Sequence, residues 1–348
     1  MDSLTATAKR SAQLARDVDA HPERFRLLTG ERPTGPLHLG HYFGTIIERV
    51  RLQQAGVETF LVLADYQVIT DRETTANVQA NVHSAVLDYL AAGLDPERTT
   101  IFTHSSVPAL NQLLLPFLSL VTEAELHRNP TVKAEAEAEA SGRALSGLLL
   151  TYPVHQAADI LFCKGNLVPV GKDNLPHVEM TRVIARRFNE RYGAVFPVPD
   201  ALITSSPEVP GLDGRKMSKS YGNAIALSMT EDETAAAIKR TTTDPDRMIT
   251  FDPDSRPGVS ALLTTAGLCL NENPAEIAAR IGDKGSGELK RVTTDIVNGF
   301  LGPLRARRAE LANKPGLSAT VLKRGNIRAN VIANTTLDEV REAMGTTY

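Results

Sequence analysis

The stretch Phe25-Arg26-Leu27-Leu28-Thr29-Gly30-Glu31-Arg32-Pro33-Thr34-Gly35-Pro36-Leu37-His38-Leu39-Gly40-His41 holds, in order, the three parts of a ligand-facing turn. An apolar run over residues 25–28 reads as a strand, and the Gly/Pro-rich segment over 30–35 reads as a turn. Helical periodicity follows at Tyr42, Ile46, Ile47 and Val50. A helix N-terminus presents unpaired backbone N–H groups and the positive end of its dipole, so phosphates settle there. His38 and His41, one helical turn apart, can donate to the same phosphate oxygens.

Outward from this turn, apolar runs alternate with helical patterns over roughly the first two hundred residues. Phe60-Leu61-Val62-Leu63-Ala64 reads as a buried parallel strand ending at Asp65, and residues 78–90 read as a helix closing at Gly93. Thr99-Thr100-Ile101-Phe102-Thr103 is a further strand, and Leu202-Ile203 belongs to a late one. Strand–helix alternation predicts an α/β fold with a doubly wound, Rossmann-like parallel sheet whose ligands lie at the carboxyl ends of its strands. Residues 111–147 interrupt the pattern. There Glu135-Ala136-Glu137-Ala138-Glu139 mimics a strand's period of two, but Ala and Glu favour an exposed helix or loop.

A second stretch, Lys216-Met217-Ser218-Lys219-Ser220, lies about 180 residues after the first. Gly211 and Gly214 precede it and Gly222 follows, which predicts a mobile loop over 211–222 able to close on a triphosphate. Transfer at phosphorus asks mainly for positioning and charge stabilisation, and Lys216 and Lys219 supply cations for a departing pyrophosphate. The two stretches together point to an enzyme that attacks the α-phosphate of ATP. Competing motifs fail. Residues 35–41 have a P-loop's glycine spacing without its Lys-Ser/Thr ending, and no G-x-G-x-x-G after a strand, H-E-x-x-H or G-x-S-x-G is present. Without a nearby carboxylate pair, phosphate contact is preferred over metal ligation for His38 and His41, and no protein-held metal is expected.

After the lysine loop the pattern is helical throughout. Thr230-x-x-Glu233 is a capping box, Asp244-Pro245-Asp246 and Asp252-Pro253-Asp254 form a turn-rich connection, and helices are expected over 274–281, 289–301 and 336–344. The predicted organisation is an N-terminal extension over 1–22, a catalytic domain over 23–223 and a helical domain over 224–348.

The two stretches resemble the HIGH and KMSKS signatures of class I aminoacyl-tRNA synthetases, the first reading HLGH and the second complete. The middle of the chain narrows the resemblance. Thr151-Tyr152-Pro153-Val154-His155-Gln156-Ala157-Ala158-Asp159-Ile160-Leu161 and Leu167-Val168-Pro169-Val170-Gly171-Lys172-Asp173-Asn174 are similar to the bacterial tryptophanyl-tRNA synthetase family, as are Ala64-Asp65 and Arg187-Phe188-Asn189-x-Arg191-Tyr192-Gly193. The resemblance implies ATP and Mg²⁺, L-tryptophan, tRNA(Trp) and a homodimer joined through the insertion, which the apolar stretch Leu113-Leu114-Leu115-Pro116-Phe117-Leu118 suits. It implies an anticodon-reading role for the helical domain. Lys133 lies where the family can bring a lysine to the phosphates.

By the same resemblance, His38, His41, Lys216 and Lys219 are catalytic. ATP contacts are implied for Arg32, Pro33, Thr34, Gly40, Gly171, Lys172, Asp173, Val209, Met217, Ser218 and Ser220 beside His41 and the two lysines. The tryptophan pocket is implied at Asp159, Tyr152, Gln156, Val168, Val170, Asn174 and Gln67. The family's aspartate accepts the indole N–H. That nitrogen is a donor only, so a selecting pocket needs an acceptor, and a carboxylate among apolar neighbours is the strongest one. Arg32, Gln67, Gln156, Lys172 and Asn174 depart from the family's usual residues, and two readings stand open: neutral drift, or a second copy with altered affinity or substrate tolerance. A tyrosine-specific enzyme, a small adenylyltransferase (disfavoured by the length and the complete lysine loop) and a regulatory binding protein are the remaining alternatives.

The composition agrees with a soluble globular chain. The 348 residues suffice for two domains, and a formal net charge of −3 excludes a generally basic nucleic-acid coat, so tRNA must meet a local basic face. Arg305, Arg307, Arg308, Lys323, Arg324 and Arg328 are candidates. Neither DNA nor a membrane is an expected partner. Cys163 and Cys269 lack any partner spacing, and no apolar run suits export or insertion, so a cytoplasmic location is expected.

Overall fold

The computed structural model of the chain describes residues 3–71, 75–130, 132–133, 146–171, 174–203, 209–219 and 221–348. Among the described residues, five strands form one parallel sheet: β1 (Arg26–Glu31), β2 (Glu58–Leu63), β3 (Thr99–Thr103), β4 (Leu167–Val170) and β5 (Asp200–Ile203), in the order β3-β2-β1-β4-β5. The pleat of β2 sorts its side chains onto two cores. Phe60 and Val62 join Leu28 and Phe102 on one face, while Leu61 and Leu63 join Ile101 on the other. This is the α/β Rossmann-like sheet expected from the strand–helix alternation. The chain leaves the central strand β1 in both directions of the sheet order, so the crevice for a ligand lies outside the carboxyl ends of the strands near β1.

Helices cover both faces. The one following β1 starts as Leu39–His41, widens to π geometry over Tyr42–Ile46 and continues as Ile47–Ala55. Short π segments inside helices recur at functional sites. Val78–Ala92 is the helix expected after β2. The insertion contains short helices at Pro108–Gln112, Leu114–Leu118 and Glu123–His127, while the Glu/Ala alternation at 135–139 lies outside the described residues. The N-terminal extension is a helix, Ser3–Ala20, that lays Leu14 and Val18 on Leu27, Leu167 and Leu202; the Ser11 hydroxyl accepts the Ile203 N–H at 2.8 Å.

The C-terminal helices are longer than their sequence pattern suggests. Residues 289–301 lie inside Gly285–Ala312, and 336–344 end the helix Leu317–Met344. Internal breakers hid this. Pro303 costs a helix interior about 3 kcal/mol, and here the helix is held by the burial of Leu289, Val297, Leu301 and Leu304. Gly325 has a different cause: a Cβ there would stand 1.8 Å from the Ile101 carbonyl oxygen, so glycine lets the last helix press against edge strand β3. Asn326 accepts the Thr103 N–H at 3.1 Å, and Thr336 donates to the Phe162 carbonyl at 2.7 Å. The edge of the sheet is thereby covered.

Candidate active site

The carboxyl ends of the strands present Glu31 as the last residue of β1, Asp65 after β2, His104 after β3 and Gly171 after β4. Two clusters form there.

The first is built on His38, the N-cap of Leu39–His41, in an extended conformation. Its Nδ1 accepts the Gly40 N–H at 3.1 Å, and the Nδ1 of His41 accepts the His38 N–H at 3.1 Å. Both Nδ1 atoms are acceptors, so each ring has its N–H at Nε2. The rings stand 3.7 Å apart between centroids. Burial, the neighbouring His41 and the nearby Lys219 push His38 down to about 3, which makes it a neutral Nε2–H donor. A Cβ at position 40 would come within 2.9 Å of the His38 ring, so any larger residue there would displace that ring.

Glu31 is the residue of this cluster that the sequence reading missed. Its carboxylate lies 3.3 Å from His41 Nε2. Burial pushes Glu31 up, but His41, Lys219 and Arg49 outweigh it and hold the carboxyl down at about 2. Arg49 is itself buried, donating to the Tyr89 hydroxyl at 2.7 Å and the Gly30 carbonyl at 3.0 Å. A strand-end acid beside a phosphate turn was the available signal.

The lysine loop is stapled to this cluster. Leu39 N–H donates to the Ile225 carbonyl at 3.0 Å and Leu227 N–H to the Leu37 carbonyl at 2.9 Å, so residues 225–227 run antiparallel to the HLGH segment. Met217 is buried, and its N–H donates to the Val209 carbonyl at 3.0 Å. Asn223, a second omission, closes the loop. Its Oδ1 accepts the Ser218 N–H at 2.8 Å, and its Nδ2 donates to Asp213 at 2.6 Å and to the Lys216 carbonyl at 3.2 Å. Across the turn, Arg32 accepts the Thr34 N–H at 2.8 Å and Pro33 accepts from the Asn81 amide at 3.0 Å. Lys172, Asp173 and Ser220 lie outside the described residues.

The second cluster lies on the helix Gly147–Leu161, where Tyr152, Gln156 and Asp159 follow at four- and three-residue spacing on one face. Asp159 is 2 % exposed. Its Oδ1 lies 2.8 Å from Nε2 of the fully buried His104, yet that oxygen and both His104 ring nitrogens have no aligned hydrogen bond. Asn111 donates to the carbonyls of His104 (2.9 Å) and Val107 (3.1 Å), so its Oδ1 is an acceptor and the Nε2 of His155, at 2.8 Å, is the donor. Burial lowers His155 and keeps it neutral. Val168 and Val170 share a core with Ala157 and Ala158, and the Tyr152 hydroxyl lies 3.4 Å from His177 Nε2. Gln67 stands in the turn Asp65–Asp71, and Asn174 precedes the helix Leu175–Tyr192, its N–H bonded to the Gly171 carbonyl.

Among the described residues, His104, His155 and Asp159 are the set whose ligand atoms gather closely enough, within 4.8 Å, to suggest a metal. Two ligands of one zinc ion, with bonds of 2.0–2.1 Å, stand roughly 3.3 Å apart. The 2.8 Å contact of His104 with Asp159 is tighter, and His155 is bound to Asn111. The set is a buried polar patch rather than a metal cage.

Several basic candidates are internal ties. Arg305 donates to Asn298 and Thr234, Arg308 to Asp88 and Ser84, Arg324 pairs with Glu97 and Arg328 with Glu58, whereas Arg307 and Lys323 are exposed. No helix among the described residues is long and apolar enough to cross a membrane.

The family described as tRNA synthetases class I (W and Y) matches residues 21–302. The chain is similar to the tryptophan–tRNA ligase of Treponema pallidum (strain Nichols), 43 % identical over 92 % of this chain and 96 % of the relative. It is also similar to that of Lactococcus lactis, 40 % identical over 92 % and 98 %. Among solved structures, the tryptophanyl-tRNA synthetase of Campylobacter jejuni complexed with ADP and tryptophan superposes with a TM-score of 0.81. The two sequences are 31 % identical, and the match covers 92 % of this chain and 99 % of that one.

Proposed function

From the premise that this chain belongs to the class I tRNA synthetases of the tryptophan and tyrosine family, we propose that the strand-end crevice joins tryptophan to its tRNA. The chain is a tryptophan–tRNA ligase. In the first step the tryptophan carboxylate attacks the α-phosphorus of ATP; the new O–P bond forms as the bridge to the β-phosphate breaks, and pyrophosphate takes the electron pair. In the second step a terminal ribose hydroxyl of tRNA(Trp) attacks the activated carbonyl, and AMP leaves.

What supports the division of labour is the pair of backbone bonds that tie the HLGH segment to residues 225–227, the segment that follows directly on the lysine loop. His38 offers Nε2–H to a phosphate oxygen, and Lys216 and Lys219 neutralise the charge arriving on pyrophosphate. Arg32, Pro33, Thr34, Gly40, Gly171, Val209, Met217 and Ser218 line the nucleotide side; the ATP contacts implied for Lys172, Asp173 and Ser220 fall on residues outside those described. Mg²⁺ arrives with the triphosphate: it demands oxygen ligands and keeps its waters, whereas the gathered set at His104, His155 and Asp159 is mostly nitrogen. When bound it would neutralise phosphate charge.

Asp159 accepts the indole N–H. A buried carboxylate oxygen with no aligned donor is an acceptor awaiting one, since such groups are rarely left unsatisfied. Tyr152, Gln156, Val168, Val170, Asn174 and Gln67 surround the ring and the amino acid's head. The helical segment over 224–348 reads the anticodon, with Arg307 and Lys323 in reach of phosphates. Two copies associate through the insertion, where Leu115 is 77 % exposed between the buried Leu113 and Phe117. The work is done in the cytoplasm.

The test is amino-acid-dependent exchange of pyrophosphate into ATP. Tryptophan drives exchange and tyrosine does not; exchange that is equal with both, or absent with tryptophan, defeats the reading.

A further inference from the structure

His104 has no role in the mechanism above, yet it is a fully buried polar side chain beside Asp159, the proposed indole acceptor. It follows directly on the carboxyl end of β3, where ligands of this sheet bind. Its backbone carbonyl is pinned by the Asn111 amide at 2.9 Å, and its ring meets the His155 ring edge-on at 4.7 Å between centroids. The imidazole is therefore held from two sides. Its Nε2 stands 2.8 Å from Asp159 Oδ1. Two bare lone pairs repel at that separation, so Nε2 has the proton. The N–H nevertheless lies off the line to Oδ1, and neither partner completes a hydrogen bond with the other.

A donor and an acceptor thus sit side by side, both buried and both unsatisfied. Plain indole answers one of them: its single N–H satisfies Asp159 and leaves the His104 N–H against ring carbon. A ring with an acceptor atom next to its N–H answers both. We propose that His104 is a second specificity-determining residue of the amino-acid pocket, and that the His104–Asp159 pair accommodates tryptophan analogues whose ring places a hydrogen-bond acceptor beside the indole N–H, the 7-azaindole class. The proposal rests on Asp159 as the indole acceptor. It adds a reader for the neighbouring ring position.

The experiment measures kcat/KM in the exchange reaction for L-tryptophan, 7-azatryptophan and 4-azatryptophan, the last having the acceptor on the far side of the ring from the N–H. The parent uses 7-azatryptophan better than 4-azatryptophan by about tenfold, the scale of one well-placed hydrogen bond. His104→Leu brings that ratio to about one, a readout in which any loss common to both analogues cancels, and His104→Gln, which keeps a donor, restores part of it. A ratio near one in the parent, or a ratio unchanged in a folded His104→Leu protein, overturns the proposal. If the leucine variant melts below the assay temperature, the parent's ratio and the glutamine variant decide. Failure of the pocket assignment itself is seen elsewhere: an Asp159→Ala protein would then keep its preference for tryptophan over phenylalanine.

Discussion

The guanidinium of Arg308, on the helix Gly285–Ala312, donates through Nε to the wholly buried carboxylate of Asp88 at 2.6 Å, on the helix Val78–Ala92 beside the sheet. Burial pushes Asp88 up, and Arg308, the Leu37 backbone and Lys219 oppose it. One carboxylate is thus shared between the C-terminal helices and the turn immediately before His38. Arg308→Ala leaves that charge buried without its partner and should cost about 3 kcal/mol, read from urea unfolding. Replacing both residues by apolar ones of similar volume, Asp88→Leu with Arg308→Met, should recover most of the loss. A single variant as stable as the parent would show that the pair contributes nothing.

Lys216→Ala and Lys219→Ala should each slow activation by about 10²–10³, since each contact strengthens as charge moves onto pyrophosphate. Tryptophan binding, measured by calorimetry, should change little. Equal losses in binding and rate would assign the lysines to the ground state instead.

Asp159→Ala should lose most of the preference for tryptophan over phenylalanine, which a buried acceptor can set at about 10⁴ or more. ATP affinity should stay near that of the parent. Melting temperature, ATP affinity and exchange on this one variant separate recognition from folding, because a structural role at the His104 contact would lower all three together.

His38 and Glu31 give acid sensitivity by opposite routes. His38 is buried neutral and pushed down to about 3, so the unfolded chain binds its proton first. Stability is full above the ordinary histidine range near 6.5 and is lost as pH falls from there toward 3. Glu31, held at about 2, contributes stability above the ordinary carboxyl range that is lost as pH falls from about 4.5 toward 2. His38→Asn keeps an N-capping side chain and should flatten the fall in melting temperature between pH 6.5 and 4.5, leaving the lower limb in place. Parallel curves for parent and variant over that upper interval would refute the assignment.

Asn223→Ala should free the lysine loop, since one side chain closes the bonds to Ser218, Asp213 and Lys216. Limited proteolysis between residues 211 and 222 should become faster, with the fold's melting temperature lowered by only a few degrees. Unchanged cleavage would place the loop's restraint elsewhere.

Local physics was legible in the linear chain. The strand Thr99–Thr103 and the helix Pro274–Ile281 follow from apolar runs and proline at a helix start, and Thr230 caps Glu231–Lys239 as its spacing to Glu233 requires. The HLGH turn and the lysine pentapeptide announced phosphate chemistry because their geometry is set within a few neighbouring residues. Tertiary structure alone decided what crosses the sheet. Glu31 meets His41 over ten positions, His104 meets Asp159 over fifty-five, and Arg308 meets Asp88 over two hundred and twenty. The last two contacts have no local signature, since a side chain's propensity records its neighbours along the backbone and not its neighbours in space. The long C-terminal helices show the same limit. Gly325 and Pro303 look like breakers by propensity, and burial against β3 and the helical core overrides them.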